Sequence, residues 1–400
     1  MQMKYIWEHK NWQELKYDGA VLLKPLSELR VLQWKLLGRV ASLDIKLETE
    51  AQGAVLVEET VRTAEIEGQK FSAEAVRSSV AVRLGLPAGI GVQDRNVDGL
   101  VDVLLDAVRG HEKSLTVKRL NSWQAALFPS GHSGIRKIRT GKFRGMEPMR
   151  VVSGPIGKEK IHFEALPRER LEAEMHLFLE WWKTSEGSMD GILRAASAHL
   201  KFLTIHPYED GNGRLARALT DMALSQDEKL RVRFYSISSE IMRRRKDYYK
   251  VLEDVQCGRI ETTVWFLWFI QCLKDSIERA QDTIAGVLQK MDFWNRHAQT
   301  VLNPRQKKVI GRMLESGPGG FTGGLTTRKY VGLTKTSRAT AFREISELLD
   351  KKILYPLPGK GRNVHYELRI NSSEESKPAK LGIRKKDIEK AIKWARTKQN

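Results

Sequence analysis

His206-Pro207-Tyr208-Glu209-Asp210-Gly211-Asn212-Gly213-Arg214-Leu215-Ala216-Arg217 is the stretch on which the reading of this chain turns. Pro207 and the two glycines make its first part a loop, and the apolar spacing from Leu215 to Leu219 predicts a helix that starts near Asn212 or Gly213. A Gly-Asn-Gly turn that feeds a helix presents unpaired backbone N–H groups and the positive end of the helix dipole, which suits a phosphate. Arg214 and Arg217 are three residues apart, share one helix face and can both reach an anion. Asp210 is a hard oxygen ligand of the kind that holds Mg2+ on a nucleotide. His206 can take a proton near neutral pH. Base, metal ligand, anion nest and paired arginines within twelve positions set the run apart from a capped surface loop.

Composition bounds the rest. Four hundred residues suggest two to three domains. No apolar run approaches the roughly 20 residues that span a bilayer. The opening Met-Gln-Met-Lys-Tyr-Ile-Trp-Glu lacks the apolar core of a signal peptide, so a cytoplasmic protein is expected. Cys257 and Cys272 have no metal-ligand spacing and read as reduced packing residues. The net charge of +19 is unevenly placed: residues 301–400 hold 23 Lys and Arg against 9 Asp and Glu. That asymmetry points to an anionic partner for the C-terminal part, with solubilisation by a lysine-rich tail as the alternative.

Along the chain, Pro25 reads as the start of a long helix that reaches Leu47, broken at Gly53. A second helix is expected from Ala54 to Ile66, stopped by Gly68, and a third after Ser72 as its N-cap. Amphipathic helices follow over 97–109 and 115–128. Two β-prone runs around Gly154-Pro155-Ile156-Gly157 read as a hairpin, the one β element expected near the motif. Helices are then expected over 192–203, 237–255 and 262–288. The 237–255 helix carries Arg243-Arg244-Arg245-Lys246, either a solvated face or a device that steers a nucleotide. After residue 298 the order is helix, short helix, turn at Gly332, a helix capped by Ser337 with Phe342, Ile345 and Leu348 facing inward, and a basic hairpin. This is the winged helix-turn-helix order. Lys335, Arg338, Thr340 and Arg343, with Lys360 and Arg362 at the wing tip, suit phosphate and base-edge contacts, so double-stranded DNA is one candidate partner and protein the other.

The run from His206 to Arg217 resembles the signature of Fic domains, His-x-Phe-x-Asp/Glu-Gly-Asn-Gly-Arg-x-x-Arg, with Tyr208 at the usual Phe. Thr63-Ala64-Glu65-Ile66-Glu67-Gly68 resembles the inhibitory signature of the same proteins, Ser/Thr-x-x-x-Glu-Gly/Asn. The resemblance implies a mainly α fold: a Fic-type helical core with a β-hairpin flap, here followed by a C-terminal winged helix-turn-helix domain. The expected domains are an N-terminal helical extension with the inhibitory helix (1–95), the catalytic core (96–290), the winged helix (300–370) and a basic tail (371–400).

It also implies an activity, the transfer of AMP from ATP to a Ser, Thr or Tyr hydroxyl of a target protein or of the chain itself, with ATP as substrate and Mg2+ as cofactor. His206 would be the catalytic base and Asp210 the metal ligand. Gly211, Asn212, Gly213, Arg214 and Arg217 would bind the phosphates. Tyr249 and Gln256, two turns apart on one helix face, would line the adenine pocket, Gln256 standing where the family commonly has Asn. Thr63, Glu67 and Gly68 would form the inhibitory element, Glu67 pairing with Arg217 to block the γ-phosphate position. Gly157, Lys160 and Ile161 would belong to the flap that docks the target. Gly213 argues against the kinase-like branch, which carries a bulky basic residue there. Three alternatives stay open: a transcription regulator whose core senses a nucleotide, an enzyme that also removes AMP, and a homodimer. No membrane partner is expected.

Overall fold

The computed structural model describes residues 5–41, 43, 45–86, 93–153, 160–258, 261–315, 324–357 and 364–370. Met1–Gln281 make one compact unit and Asp282–Asn400 a second. The fold is mainly α, as expected, with small two-stranded hairpins. Among the described residues no helix is long and apolar enough to cross a membrane.

The first unit opens with α1 (Gly19–Val40) and α2 (Ile45–Ile66). Neither has the expected bounds. Asp18 caps α1 by accepting from the Ala20 and Val21 N–H groups, so the helix starts before Pro25 and carries that proline inside. Its buried face, Leu22, Leu29, Leu36 and Val40, begins upstream of the proline, and this packing outweighs the lost hydrogen bond. Gly53 lies within α2, where a Cβ would meet the Leu86 side chain at 3.0 Å. It serves close packing and does not end a helix. The C-terminus of α2 is as expected: Gly68 takes a left-handed φ of 77°, and the Gln69 N–H returns to the Ala64 carbonyl at 3.0 Å.

α3 (Ala73–Leu84), α4 (Arg95–Arg109) and α5 (Val117–Leu127) start at Ser72, Asp94 and Thr116, each a side-chain cap. Two hairpins follow. The first, β1 (His132–Ser133) with β2 (Arg136–Lys137), has no counterpart in the expected elements, because its residues are polar and its strands are two residues long. The second, β3 (Arg150–Ser153) with β4 (Lys160–Glu164), is the expected flap, antiparallel with a bulge between Val151 and Val152.

α6 (Leu171–Thr184) leads to a helical hairpin, α7 (Gly191–Ile205) and α8 (Asn212–Glu228), whose residues are almost all buried. The motif loop is the turn between these two helices, so its geometry rests on theirs. Arg30 of α1 clamps their far ends together. It bonds Asp190, the N-cap of α7, at 2.6 Å, and it also pairs with Asp227 near the end of α8. Burial works against this guanidinium, yet the two carboxylates hold its pKa above the ordinary arginine value.

The single helix expected over 237–255 is two, α9 (Ile237–Arg243) and α10 (Arg245–Gln256), broken at Arg244. Two arginines of the basic run reach distant partners, Arg244 pairing with Asp275 and Arg245 donating to the Ile66 carbonyl at 3.0 Å, while Arg243 pairs locally with buried Glu240 and Lys246 is exposed. α11 (Thr263–Arg296) extends eight residues beyond the expected Leu288.

The second unit holds α12 (Pro304–Glu315), α13 (Thr327–Thr334), α14 (Arg338–Asp350) and the hairpin β5 (Leu354–Pro356) with β6 (Tyr366–Leu368). A bridge between Leu325 and Tyr366 adds a short third segment. Val309, Tyr330, Ile345, Leu348 and Leu354 fill its core. Gly332 lies inside α13, not in a turn. Phe342 is 63% exposed, against the inward placement expected of it. Ala341, Ile345 and Leu348 already form the inner stripe at helical spacing, and Phe342 falls one residue off it.

Removing the Arg30 clamp tests the scaffold. Arg30→Ala should lower the unfolding free energy by about 2 kcal/mol, below the roughly 3–5 of a fully buried pair because each partner keeps some solvent. A urea midpoint that falls at unchanged slope would report it, and no shift would reduce the clamp to an ordinary surface contact.

Candidate active site

α7 delivers His206 as its C-terminal cap, in a left-handed conformation with φ of 52°. The ring Nδ1 lies 3.3 Å from the Leu203 carbonyl. A carbonyl only accepts, so Nδ1 carries the proton and Nε2 keeps its lone pair. Burial is the main cause that lowers the His206 pKa, to about 4, and Arg144 adds to it; the Leu203 carbonyl, Glu67 and Asp210 oppose it. The imidazole is therefore neutral at physiological pH and able to accept a proton.

The loop after it is held both from outside and by its own side chains. The Arg144 N–H donates to the Pro207 carbonyl at 2.9 Å, and the Arg144 guanidinium donates to the His206 carbonyl at 3.0 Å and to that of Leu166. Tyr208 is buried, its hydroxyl donating to Asn121 at 2.8 Å. The Asn212 side chain accepts from the Tyr208 N–H at 3.0 Å and donates to the Tyr208 carbonyl at 2.8 Å. The Asn212 amide is thus spent on the loop, and what it can offer an anion is its backbone N–H. Gly211 adopts φ of 92°, a conformation that side chains disfavour, and no side chain caps the helix that starts behind it.

Both arginines of α8 are buried. Arg214 donates to Gln69 at 3.1 Å, lies over the Phe128 ring at 4.6 Å and is 3.7 Å from Asp210. Its Nε has no partner among the described residues. Arg217 is 0% exposed, and α2 takes two of its nitrogens. Nε donates to the Thr63 hydroxyl, while Nη2 donates to the Thr63 carbonyl at 3.1 Å and to Glu67 at 2.7 Å. Nη1 has no partner among the described residues. Burial opposes the Arg217 charge most, but the Glu67 carboxylate together with Tyr248 and Tyr249 outweighs it and the pKa is raised. Glu67 itself is 28% exposed. A Cβ at Gly213 would lie 2.2 Å from Glu67 Oε1, so the second motif glycine is what lets Glu67 reach Arg217.

The Tyr249 hydroxyl donates to the Ile66 carbonyl at 3.3 Å, on the last turn of α2. Gln256 is buried and donates to Thr204 at 3.2 Å. Ile161 is an exposed flap residue paired across the strands with Val152. The side chain of Lys160 and the whole of Gly157 lie outside the described residues, as do Lys360, Arg362 and 371–400. In the second unit Lys335, Arg338 and Arg343 are exposed, while Thr340 is half-buried with its hydroxyl 3.0 Å from that of Ser337. Among the described residues no cluster of three or more His, Cys, Asp or Glu side chains could hold a metal by itself.

The arrangement concentrates positive charge around one loop. Two buried guanidiniums and a helix N-terminus face one way, and a neutral imidazole stands at the other end of a tight loop. Residues 114–224 match the Fic/DOC family, so the chain carries a Fic/DOC domain. Residues 5–86, which contain Glu67, match a domain of unknown function, DUF4172. The "Protein adenylyltransferase Fic" of Nematostella vectensis is 25% identical over 217 residues, 53% of this chain and 46% of that protein, so the match spans about half of the curated relative's length. The fold is similar to that of a Fic family protein from Desulfovibrio desulfuricans, with a TM-score of 0.50, 17% identity and coverage of 88% of this chain and 97% of that one. A Fic domain containing signaling protein from Bacteroides thetaiotaomicron aligns over 66% of this chain and 97% of its own, at 18% identity and a TM-score of 0.49.

The half-buried imidazole makes a prediction that needs no substrate. The NMR titration of His206, assigned by its loss in His206→Ala, should have its midpoint near pH 4; a midpoint at or above 6 would overturn the neutral-base reading. The linked stability has a definite sign. From the ordinary value of 6.5 down to about 4 the unfolded imidazole takes up a proton and the folded one does not, so this group's contribution falls as pH falls through that window.

Proposed function

We propose that the chain is a protein adenylyltransferase that moves AMP from ATP to a Ser, Thr or Tyr hydroxyl, and that Glu67 holds it off. The observation that carries this reading is the Arg217 guanidinium: wholly buried, unpartnered at Nη1, and joined to Glu67 at 2.7 Å across a glycine that leaves no room for a side chain. A buried cation requires an anion. In the resting chain that anion is Glu67; in the active chain it is the γ-phosphate.

The chemistry follows from the remaining residues. His206 Nε2 takes the proton of the target hydroxyl as its oxygen attacks the α-phosphorus. The bond to the bridging oxygen breaks, and pyrophosphate leaves with its charge held by Arg214, Arg217 and the N–H groups at the start of α8. Arginine suits this role because its fork of donors matches phosphate oxygens. The donor set fits Mg2+ brought in by the nucleotide: Mg2+ keeps most of its waters and takes one or two carboxylates plus phosphates, and Asp210 is a single part-exposed carboxylate beside the nest. Bound there, the ion would neutralise phosphate charge.

A second reading concerns the unit from Asp282 onward. Its order of three helices and a hairpin, with Lys335, Arg338 and Arg343 exposed about the start of α14, supports a winged helix that binds duplex DNA.

His206→Ala should abolish label transfer from α-labelled ATP, and persistent transfer would remove His206 as the base. Glu67→Gly should raise ATP affinity about tenfold, within the usual range of couplings between sites, and should raise self-modification. If neither changes, Glu67 does not block the site. Titration of the protein with a fluorescent duplex at two salt concentrations should show binding that weakens steeply with salt; binding insensitive to salt, or none, would end the DNA reading.

A further inference from the structure

Asp210 is held by a residue that the motif does not contain. One carboxylate oxygen, Oδ1, accepts the Gly211 N–H and lies 3.7 Å from Arg214. The other, Oδ2, accepts the hydroxyl of Ser133. Ser133 ends β1, on the short hairpin with β2, and the segment around that hairpin is fastened to the motif loop at several points. The Arg139 N–H donates to Glu209 at 3.1 Å, and Arg136 is 3.8 Å from the same carboxylate. Gln124 ties the far end, accepting from the Gly141 N–H at 2.6 Å and donating to the Asp210 carbonyl at 3.4 Å. The Ile138 N–H closes the segment onto the Gly131 carbonyl at 3.0 Å. Segment 131–141 is therefore a strap across Glu209 and Asp210, and Ser133 is its contact with a carboxylate of the anion site.

A carboxylate has about four lone-pair positions. One donor on each oxygen still leaves each a lone pair, and two donors on opposite oxygens fix the plane of the group. We propose that Ser133 is a positioning residue for the divalent cation of this site: its hydroxyl sets the orientation in which Asp210 meets the ion. The proposal rests on the reading of Asp210 as the cation ligand. Groups that orient a metal-binding carboxylate commonly change metal affinity by 10–100-fold when removed. A hydroxyl on a two-residue strand suits the task, because the hairpin gives it a fixed backbone while its proton can rotate to meet the carboxylate.

The test measures binding, not turnover. The full chain carrying Glu67→Gly is loaded with α,β-methylene-ATP, which cannot release pyrophosphate, and titrated with Mn2+, the bound ion being followed by electron paramagnetic resonance. Ser133→Ala should weaken Mn2+ binding about tenfold. Nucleotide affinity without metal should stay unchanged, which a collapse of the site would not allow. Ser133→Thr, which keeps the hydroxyl, should restore Mn2+ affinity to within about twofold of the parent. Unchanged or tighter Mn2+ binding in Ser133→Ala would overturn the proposal, tighter binding meaning that the hydroxyl competes with the ion. Loss of metal-free nucleotide affinity along with that for Mn2+ would overturn it as well, since Ser133 would then support the loop as a whole. Asp210→Ala separates the two levels. If it leaves Mn2+ affinity intact, the assignment of Asp210 fails whatever Ser133 does.

Discussion

A guanidinium with no access to water is the constraint that the first unit is built to satisfy. Arg217 projects from the second turn of α8 into a space closed by α2, and burial alone would expel its charge. Two residues at the end of α2, Thr63 in its last turn and Glu67 just beyond it, answer it. Thr63 supplies a hydroxyl and a carbonyl, and Glu67 supplies a full charge. The last turn of α2 is in turn pinned through its Ile66 carbonyl by Arg245 and Tyr249. A helix that would otherwise be one more layer of the bundle thus becomes the counter-ion of the motif.

The other side of the motif answers a different demand. His206 is kept neutral by desolvation at the end of a wholly buried helix. The cost is a loop of strained and polar backbone between two buried helices. Arg144 shows how that cost is met. It is itself buried, with no carboxylate bonded to it among the described residues, and it spends its donors on the His206 and Leu166 carbonyls, joining the motif loop to the chain just after β4. Beneath the loop, His199 stays uncharged between Thr220 and Tyr248, its pKa lowered to about 3 by burial and by Arg217. The arginines carry the positive charge of the site, and the histidines are kept out of it.

What the sequence made legible follows from how local the cause was. Helix starts at Ser72 and Ser337 and the stop at Gly68 were readable because a cap is a contact within a few residues. The approach of Glu67 to Arg217 was readable only through resemblance, since 150 residues separate them. Where a distant partner decides, propensity misled. Pro25 and Gly53 are breakers by type, yet both sit inside helices whose buried faces override them. Arg244 interrupts a helical pattern, and its partner is Asp275. Ser133 and Arg144 carried no signal at all: a serine between polar residues and an arginine in a Gly-rich loop look like surface until the fold delivers Asp210 and two carbonyls to them.

Gly213 and Glu67 share one small volume. The space that a methyl group at 213 would need is already filled by a carboxylate oxygen of the residue that follows α2. The two positions are therefore coupled by space: a side chain at 213 requires the flexible end of Glu67 to move. A substitution at 213 thus acts on two things at once, the turn into α8 and the reach of Glu67 toward Arg217.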